Sequence, residues 1–201
     1  MPAPFQNLSS TYAAFFALFT ISLAFSIYAT VTPDFLRVNQ IPVFGSLSMS
    51  FGLFQNCLTT GTSTTCTEFP TKDCHISLPK HADDDMSLCQ SFLTARYLEI
   101  GALTFGGLAW MSWLAMINYT TRAATVGATI WCTGVHATCQ ILVNVIMFKR
   151  RDDSIFFIGG DYGVSHSFTT ASWVLDIVLI AMLGIALWMR RSPEYIYVAI
   201  P

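Results

Sequence analysis

The sequence predicts an all-α membrane protein with a small β part, in which a bundle of four transmembrane helices carries an antiparallel sheet closed by a disulfide. Of the 201 residues, 53% are hydrophobic and only 11% are charged, less than half of the charged fraction usual in a soluble domain. Four apolar runs are long enough to cross a bilayer, which takes roughly 20 residues. Four of the six cysteines lie in the polar stretch between the first two runs.

The chain is predicted to form a single domain over residues 1–201. Its predicted spans are 12–31, 97–117, 123–148 and 171–189. The predicted extracellular loops are 32–96 and 149–170, and the cytosolic tail is 190–201. The first span ends at Thr32-Pro33, because a proline disfavours helix at the residue before it.

The large loop is predicted to contain strands. From Leu47 to Leu53, large apolar residues alternate with Ser and Gly, which indicates a half-buried strand. The Thr-rich segment 59–65 is typical of a turn, and a Cys57–Cys66 bridge would join the strands on either side. The three aspartates 83–85 predict an irregular, solvated segment. A calcium site is the weaker alternative, since it needs more oxygen ligands than this loop offers.

The loop cysteines indicate an oxidising compartment. Cys57, Cys66, Cys74 and Cys89 predict two disulfides, and zinc is the weaker alternative because no Cys-x-x-Cys pair is present. Of the three connectivities, nearest neighbours are preferred, Cys57–Cys66 and Cys74–Cys89. Disulfides place this loop outside the cell and both termini in the cytosol, although the basic run 149–151 then departs from the positive-inside rule.

The spans carry polar residues at informative positions. Glycines at 101, 106 and 107 allow close helix approach, and Glu99 is predicted at headgroup depth. The third span has polar residues four apart on one helix face, namely Cys132, His136, Gln140 and Asn144. Asp176 of the fourth span is predicted at the depth of Gln140 or Asn144. These groups predict a buried hydrogen-bond cluster that either holds helices together or, through His136 and Asp176, senses or transports.

Four spans with Gly52-Leu53-Phe54-x-x-Cys57 and Cys66 resemble the claudin-like tetraspan superfamily. The motif of that superfamily has Trp where this chain has Phe54, and Phe35 stands where an earlier Trp would be. Arg96, in Thr94-Ala95-Arg96, resembles the Ala-Arg pair with which the superfamily begins its second span. The segment 162–168 is more similar to the fungal branch, which holds the eisosome tetraspans and the PalI-like ambient-pH sensor components.

The resemblance implies a left-handed bundle with the sheet on its extracellular face. It also implies that Gly52, Leu53, Phe54 and Arg96 are motif residues. Phe54 would be an aromatic anchor where the sheet meets the bundle or the membrane surface, and a plain core phenylalanine is the alternative.

An enzyme is not expected. The sequence holds no His-Glu-x-x-His, Gly-x-Ser-x-Gly or phosphate-binding loop. Cys132 and Cys139 are two helical turns apart, roughly 10 Å, which is too far for a bridge. No catalytic residue, cofactor or metal is predicted, and the absence of a basic tract argues against nucleic acid as a partner.

The predicted function is that of a plasma-membrane scaffold or accessory subunit of a larger membrane complex, related to membrane-domain organisation, the cell wall or transport. The expected partners are other integral membrane proteins, lipids or sterol, and possible further copies of this chain. One alternative is a pH- or stress-sensing component of the PalI type. The other is a self-associating claudin-like pore or adhesion protein, although the mixed charges of the loop define no ion selectivity.

Overall fold

A computed structural model describes residues 8–39, 47–69, 82–118, 123–153 and 160–191. Four long helices dominate it: α1 Leu8–Val31, α2 Ala82–Asn118, α3 Ala123–Asp153 and α4 Val164–Arg191. Each contains a stretch that is long and apolar enough to cross a membrane. The prediction of four apolar helices of membrane length is therefore confirmed, and their length and composition indicate a multi-pass membrane protein.

The helices form a closed ring of neighbours. Helices α1 and α3 each pack against both α2 and α4. One core cluster is centred on Phe19, Trp113, Leu179 and Leu183, all of them essentially inaccessible to solvent. Large apolar side chains also cover the outside of the bundle, including Trp131 and Trp188, which are 68% and 75% exposed. Such an apolar exterior suits contact with lipid.

Helix α2 begins well before the predicted span. It starts at Ala82 rather than near residue 97, so the aspartates 83–85 belong to its first turns. The expectation of an irregular segment there was wrong. The physical reason is that a helix N-terminus carries a partial positive charge from its aligned peptide dipoles, which favours acidic residues.

Helix α4 also begins early, at Val164 rather than near residue 171. Its first turn is capped from a distance, because the Val164 backbone N–H donates to Asp34 Oδ2 at 3.2 Å and the Ser165 N–H to the Asp34 carbonyl at 3.1 Å. Asp34 also pairs with Arg37 at 2.7 Å. The early start of α4 could not be predicted from the local sequence, because the carboxylate that caps it lies 130 residues earlier in the chain.

The sheet has five antiparallel strands among the described residues, in the order β4-β3-β2-β1-β5. They are β1 Leu36–Asn39, β2 Leu47–Phe51, β3 Gln55–Thr60, β4 Ser63–Glu68 and β5 Asp161–Tyr162. The strand predicted from Leu47 is present, and the predicted turn narrows to Gly61-Thr62, where Gly61 has φ 60°. Strand β5 joins the sheet from the second loop, which the sequence did not predict.

The sheet rests on one end of the bundle, which we call the sheet end. A second core cluster joins the two parts, with Phe35, Phe51 and Leu53 from the sheet side meeting Phe92 of α2 and Met147 of α3. Each large apolar side chain so buried contributes about 1.5–3 kcal/mol to folding. The sheet is thus fixed to the helices by burial as well as by the chain connections.

The disulfide between Cys57 and Cys66 is confirmed. The two residues are direct partners across β3 and β4, with their Cα atoms 4.1 Å apart. Cys89 is also disulfide-bonded, while its predicted partner Cys74 lies outside the described residues. The Cys74–Cys89 pairing, the handedness of the bundle and the side of the membrane that holds the sheet stay predictions.

Candidate functional site

The centre of the bundle contains a buried hydrogen-bonded contact between a histidine and an aspartate on two helices. His136 Nδ1 of α3 lies 2.6 Å from Asp176 Oδ2 of α4, and neither side chain is accessible to solvent. Polar groups this far inside a membrane protein are costly unless they find partners. The polar face of α3 and Asp176 of α4 therefore meet, as predicted. The contact is with His136, however, and not at the depth of Gln140 or Asn144, where the sequence placed Asp176.

The difference in level follows from the early start of α4. Asp176 lies twelve residues after Val164, or about 18 Å along the helix, and not in its first two turns. The carboxylate therefore reaches deeper into the bundle. Asn144, which lies nearer the sheet end, instead donates through Nδ2 to Thr170 Oγ1 at 3.1 Å.

Helix α1 supplies the second partner of Asp176. Ser22 Oγ donates to Asp176 Oδ1 at 2.7 Å, and Ser172 Oγ donates to the Ser22 carbonyl at 2.9 Å. All three residues are fully buried. The serines were not predicted as site residues, although small hydroxyl side chains are typical of helix contacts in membranes. Asp176 thus links α1, α3 and α4 through one carboxylate.

Gln140 extends the network on the other side of the imidazole. Its Nε2 lies 3.4 Å from His136 Nε2. If His136 is neutral with its proton on Nδ1, its Nε2 accepts from the Gln140 amide, whereas a doubly protonated ring requires the amide oxygen to turn toward it. The orientation of the Gln140 amide is thus coupled to the protonation state of the imidazole.

A second buried carboxylate belongs to Glu99 of α2. It accepts hydrogen bonds from Ser26 and Thr30 of α1, both at 3.0 Å. The side chain is 0% exposed, and its Oε2 has no partner among the described residues. The structure encloses Glu99 between α1 and α2, and its position at headgroup depth stays a prediction. It lies one turn of α1 from the Asp176 contacts, because Ser26 follows Ser22 by four residues.

Gly106 makes room for the imidazole of His136. A Cβ atom at Gly106 would lie 2.9 Å from His136 Cδ2 and 2.8 Å from Leu23 Cδ1, both too close for a real contact. The predicted role of this glycine in close helix approach holds. At Gly107 the same Cβ would meet nothing within 4 Å, and at Gly101 it would only touch Cys139 Sγ at 3.9 Å.

The motif residues form a joint between the sheet and α2. Arg96 Nε donates to the Leu53 carbonyl at 2.9 Å and Nη2 to the Phe69 carbonyl at 2.5 Å. Its guanidinium also lies over the Phe54 ring, 4.8 Å from the ring centroid, where it makes a cation–π contact. Phe54 is partly buried at this joint and packs against the core cluster beneath the sheet.

Gly52 is required by the backbone at the same joint. A Cβ atom there would lie 2.6 Å from Pro33 Cα, so no other residue fits without moving the chain. Leu53, the next residue, is fully buried. Gly52 and Leu53 therefore have a structural role, since Gly52 lets the backbone pass close to Pro33 and Leu53 fills the core beneath the sheet.

The remaining candidates do not join the network. Cys132 and Cys139 are free thiols and half-buried, and Cys132 packs against the central core cluster. Within the described residues, no group of three or more His, Cys, Asp or Glu side chains is placed to hold a metal ion. The buried network of Ser22, His136 and Asp176 connects α1, α3 and α4, and the separate Glu99 contacts connect α2 to α1.

Comparison of the sequence with known protein families finds no family that matches, and comparison with curated proteins likewise finds no match.

Proposed function

We propose that this chain is a non-enzymatic tetraspan that acts as a scaffold or accessory subunit of a larger complex in the plasma membrane. One observation carries the proposal, namely strand β4, whose six residues are all exposed at the edge of the sheet. An edge strand has unpaired backbone N–H and C=O groups that another chain can meet by adding a strand. The partner would be the ectodomain of another integral membrane protein.

The way the sheet is held supports this role. The Cys57–Cys66 bridge closes β3 and β4, and Arg96 ties the β2–β3 connection to α2. A docking surface held in one conformation binds with less loss of conformational entropy than a flexible loop. The buried polar side chains form hydrogen bonds between helices, as expected for a bundle that holds the sheet rigidly.

The first experiment is a gentle detergent extraction from native membranes, followed by native-gel sizing and mass spectrometry of the proteins that co-purify. A stoichiometric membrane protein is expected. The variant Thr65→Lys adds a charge to the exposed edge opposite Leu58 and should release the partner. The control Asp161→Lys places the same side chain at the opposite edge of the sheet. A bare chain in wild-type extracts, or equal partner recovery from all three proteins, would contradict the proposal.

The second candidate function is pH sensing, which the enclosed His136–Asp176 contact favours. The imidazole contacts Asp176 of α4, Gln140 of α3 and the Phe19 ring of α1. The carboxylate of Glu99 of α2 interacts with it electrostatically, and Ser22 of α1 donates to Asp176. A sensor should show a pH-dependent change in tryptophan fluorescence or in assembly. That change should vanish in Asp176→Asn and His136→Gln, and its persistence in both variants would remove this function.

A further inference from the structure

We infer that the tip of the β3–β4 hairpin is a site of O-linked glycosylation, with Thr60 and Thr62 as the acceptor residues. The hairpin carries a hydroxyl side chain at seven of the nine positions 59–67, and extracellular segments rich in Ser and Thr are typical acceptors of O-linked sugars. The inference goes beyond the docking role proposed for β4 and needs no protein partner. It shares with that role the prediction that the sheet faces the cell exterior.

The hydroxyl groups of this hairpin fall into two sets. One set is held by hydrogen bonds within the hairpin and comprises Thr59, Ser63, Thr64 and Thr67. The other set is exposed, its hydroxyl groups make no hydrogen bond to any described residue, and it comprises Thr60, Thr62 and Thr65. The oxygens of the second set can therefore react without breaking a contact of the fold.

The other Ser and Thr hydroxyl groups are less accessible to an enzyme in solution. On the helices, Thr20, Thr104 and Thr138 each donate to the carbonyl four residues earlier, within stretches long and apolar enough to cross a membrane. Ser48 and Ser50 lie on β2, which has a strand on each side, and both are half-buried. Outside the membrane-length stretches, and among the side chains that the structure describes, exposed hydroxyl groups without a partner therefore occur only in this hairpin.

The tip of the hairpin is open to an approaching enzyme. Thr62 lies in the turn between the two strands, next to Gly61, where a Cβ atom would meet nothing within 4 Å. Thr60 is the last residue of β3. The third free hydroxyl belongs to Thr65, which lies within β4 opposite Leu58 and away from the tip. The two residues at the tip are therefore the acceptors that a transferase reaches first.

The disulfide places the hairpin where sugar transfer takes place. The Cys57–Cys66 bridge closes this hairpin, and disulfides form in the oxidising compartments of the secretory route, where glycosyltransferases also act. In the transfer, the Thr62 hydroxyl oxygen attacks the anomeric carbon of a sugar carried as a nucleotide or lipid phosphate ester. The new C–O bond forms as the bond from that carbon to the phosphate oxygen breaks. The phosphate leaves with the electron pair, and the hydroxyl proton passes to a base of the transferase.

A glycan at the tip would protect the free edge of the sheet. All six residues of β4 are exposed, none of them is Lys, Arg or Pro, and Glu68 is the only charged one. An edge strand without such residues is prone to pair with other copies. A glycan is bulky and solubilising, so at the tip it would hinder this pairing while the backbone of β4 stays open to the proposed partner.

The test uses the full-length chain expressed in its native host, with N-linked glycans removed enzymatically and disulfides reduced before analysis. Trypsin releases residues 38–72 as one peptide, because no Lys or Arg lies between Arg37 and Lys72. Mass spectrometry of this peptide should show added hexose or N-acetylhexosamine units, and electron-transfer fragmentation should locate them at Thr60 or Thr62. The double variant Thr60→Val/Thr62→Val keeps β-branched side chains, which suit strands, and should lose the sugar completely.

A matched control comes from the same two strands. Thr59→Val/Thr64→Val removes two hydroxyl groups that contact each other at 3.1 Å, and this variant should carry as much sugar as the wild type. An unmodified wild-type peptide, unchanged sugar on the tip variant, or equal losses in the two double variants would each overturn the glycosylation site. Partner recovery from Thr65→Lys is measured separately, so the docking role and the glycosylation site can fail independently.

Discussion

At the scale of single residues, the bundle is most sensitive where side chains meet without spare room. Gly106 faces His136 and Leu23 at distances that leave no space for a methyl group. Gly107 follows it in the chain and points to open space. The two adjacent glycines therefore provide a matched pair in which the same substitution meets opposite surroundings.

We predict that Gly106→Ala destabilises the protein by about 1–3 kcal/mol, the usual cost of overpacking a core. The added methyl group must push His136 or Leu23 away, which also strains the contact with Asp176. Gly107→Ala should be neutral or slightly stabilising, because alanine favours helix over glycine. Thermal unfolding in detergent measures both variants, and equal midpoints would show that α2 does not approach His136 this closely.

At the scale of elements, the joint between the sheet and α2 depends on the shape of one guanidinium. Arg96 donates to two carbonyls and covers the Phe54 ring. Lysine keeps the charge but lacks the planar fork that reaches both acceptors. Arg37, whose side chain is 46% exposed in its pair with Asp34, offers a control at the surface of the same sheet.

Arg96→Lys should destabilise the protein by about 1–3 kcal/mol, because at least one partly buried carbonyl loses its donor. Arg37→Lys should cost less, about 1 kcal/mol or below, because the half-exposed lysine keeps the charge beside the largely buried Asp34. Denaturant titration of the purified proteins tests the difference. Similar losses for the two variants would mean that the joint is held by apolar burial alone.

The disulfide gives the second prediction at this scale. Cys57→Ser should cost about 2–5 kcal/mol, the usual loss for a native disulfide in a small domain, and the protein should be retained in the endoplasmic reticulum. Cys132→Ser, at a free thiol, should reach the surface like the wild type. Fractionation or microscopy of tagged chains measures delivery, and normal delivery of Cys57→Ser would show that the bridge is dispensable.

The elements with a strong local pattern were predictable from the sequence. The four apolar runs, the alternation from Leu47 and the Cys57–Cys66 spacing each have their own physical signal, and each appears in the structure. The starts of α2 and α4 were missed because hydrophobicity marks only the part of a helix that lies in lipid. The cap of α4 by Asp34 is a long-range contact.

In the buried network, too, the features with a local sequence pattern were predictable and those that depend on packing between helices were not. Spacing by four residues correctly placed His136 and Gln140 on one face of α3. It could not provide the register between α3 and α4, so Asp176 was assigned to the wrong depth. Ser22 was missed as a member, and so were the contacts of Glu99 with α1, because the partner of a buried polar side chain depends on which helix packs against it.

At the scale of the whole molecule, two signals in the sequence bear on which side of the membrane holds the sheet. The cysteines predict the extracellular side, since disulfides persist in oxidising compartments, and the basic run 149–151 argues for the opposite side. The proposed docking role of β4 requires a partner ectodomain and therefore the extracellular side. A measurement of the orientation of the protein in the membrane shows which of the two signals is correct, and it also tests the proposed docking role.

We predict that an epitope inserted in the Gly61-Thr62 turn is stained in intact cells. This turn is exposed, and a Cβ atom at Gly61 would meet nothing within 4 Å, so an insertion should be tolerated as at other loop tips. An epitope after Pro201 should be stained only after permeabilisation, because four spans put both termini on the side opposite the sheet. The reverse staining pattern would place β4 in the cytosol, and a cytosolic or peripheral partner would then have to replace the proposed ectodomain.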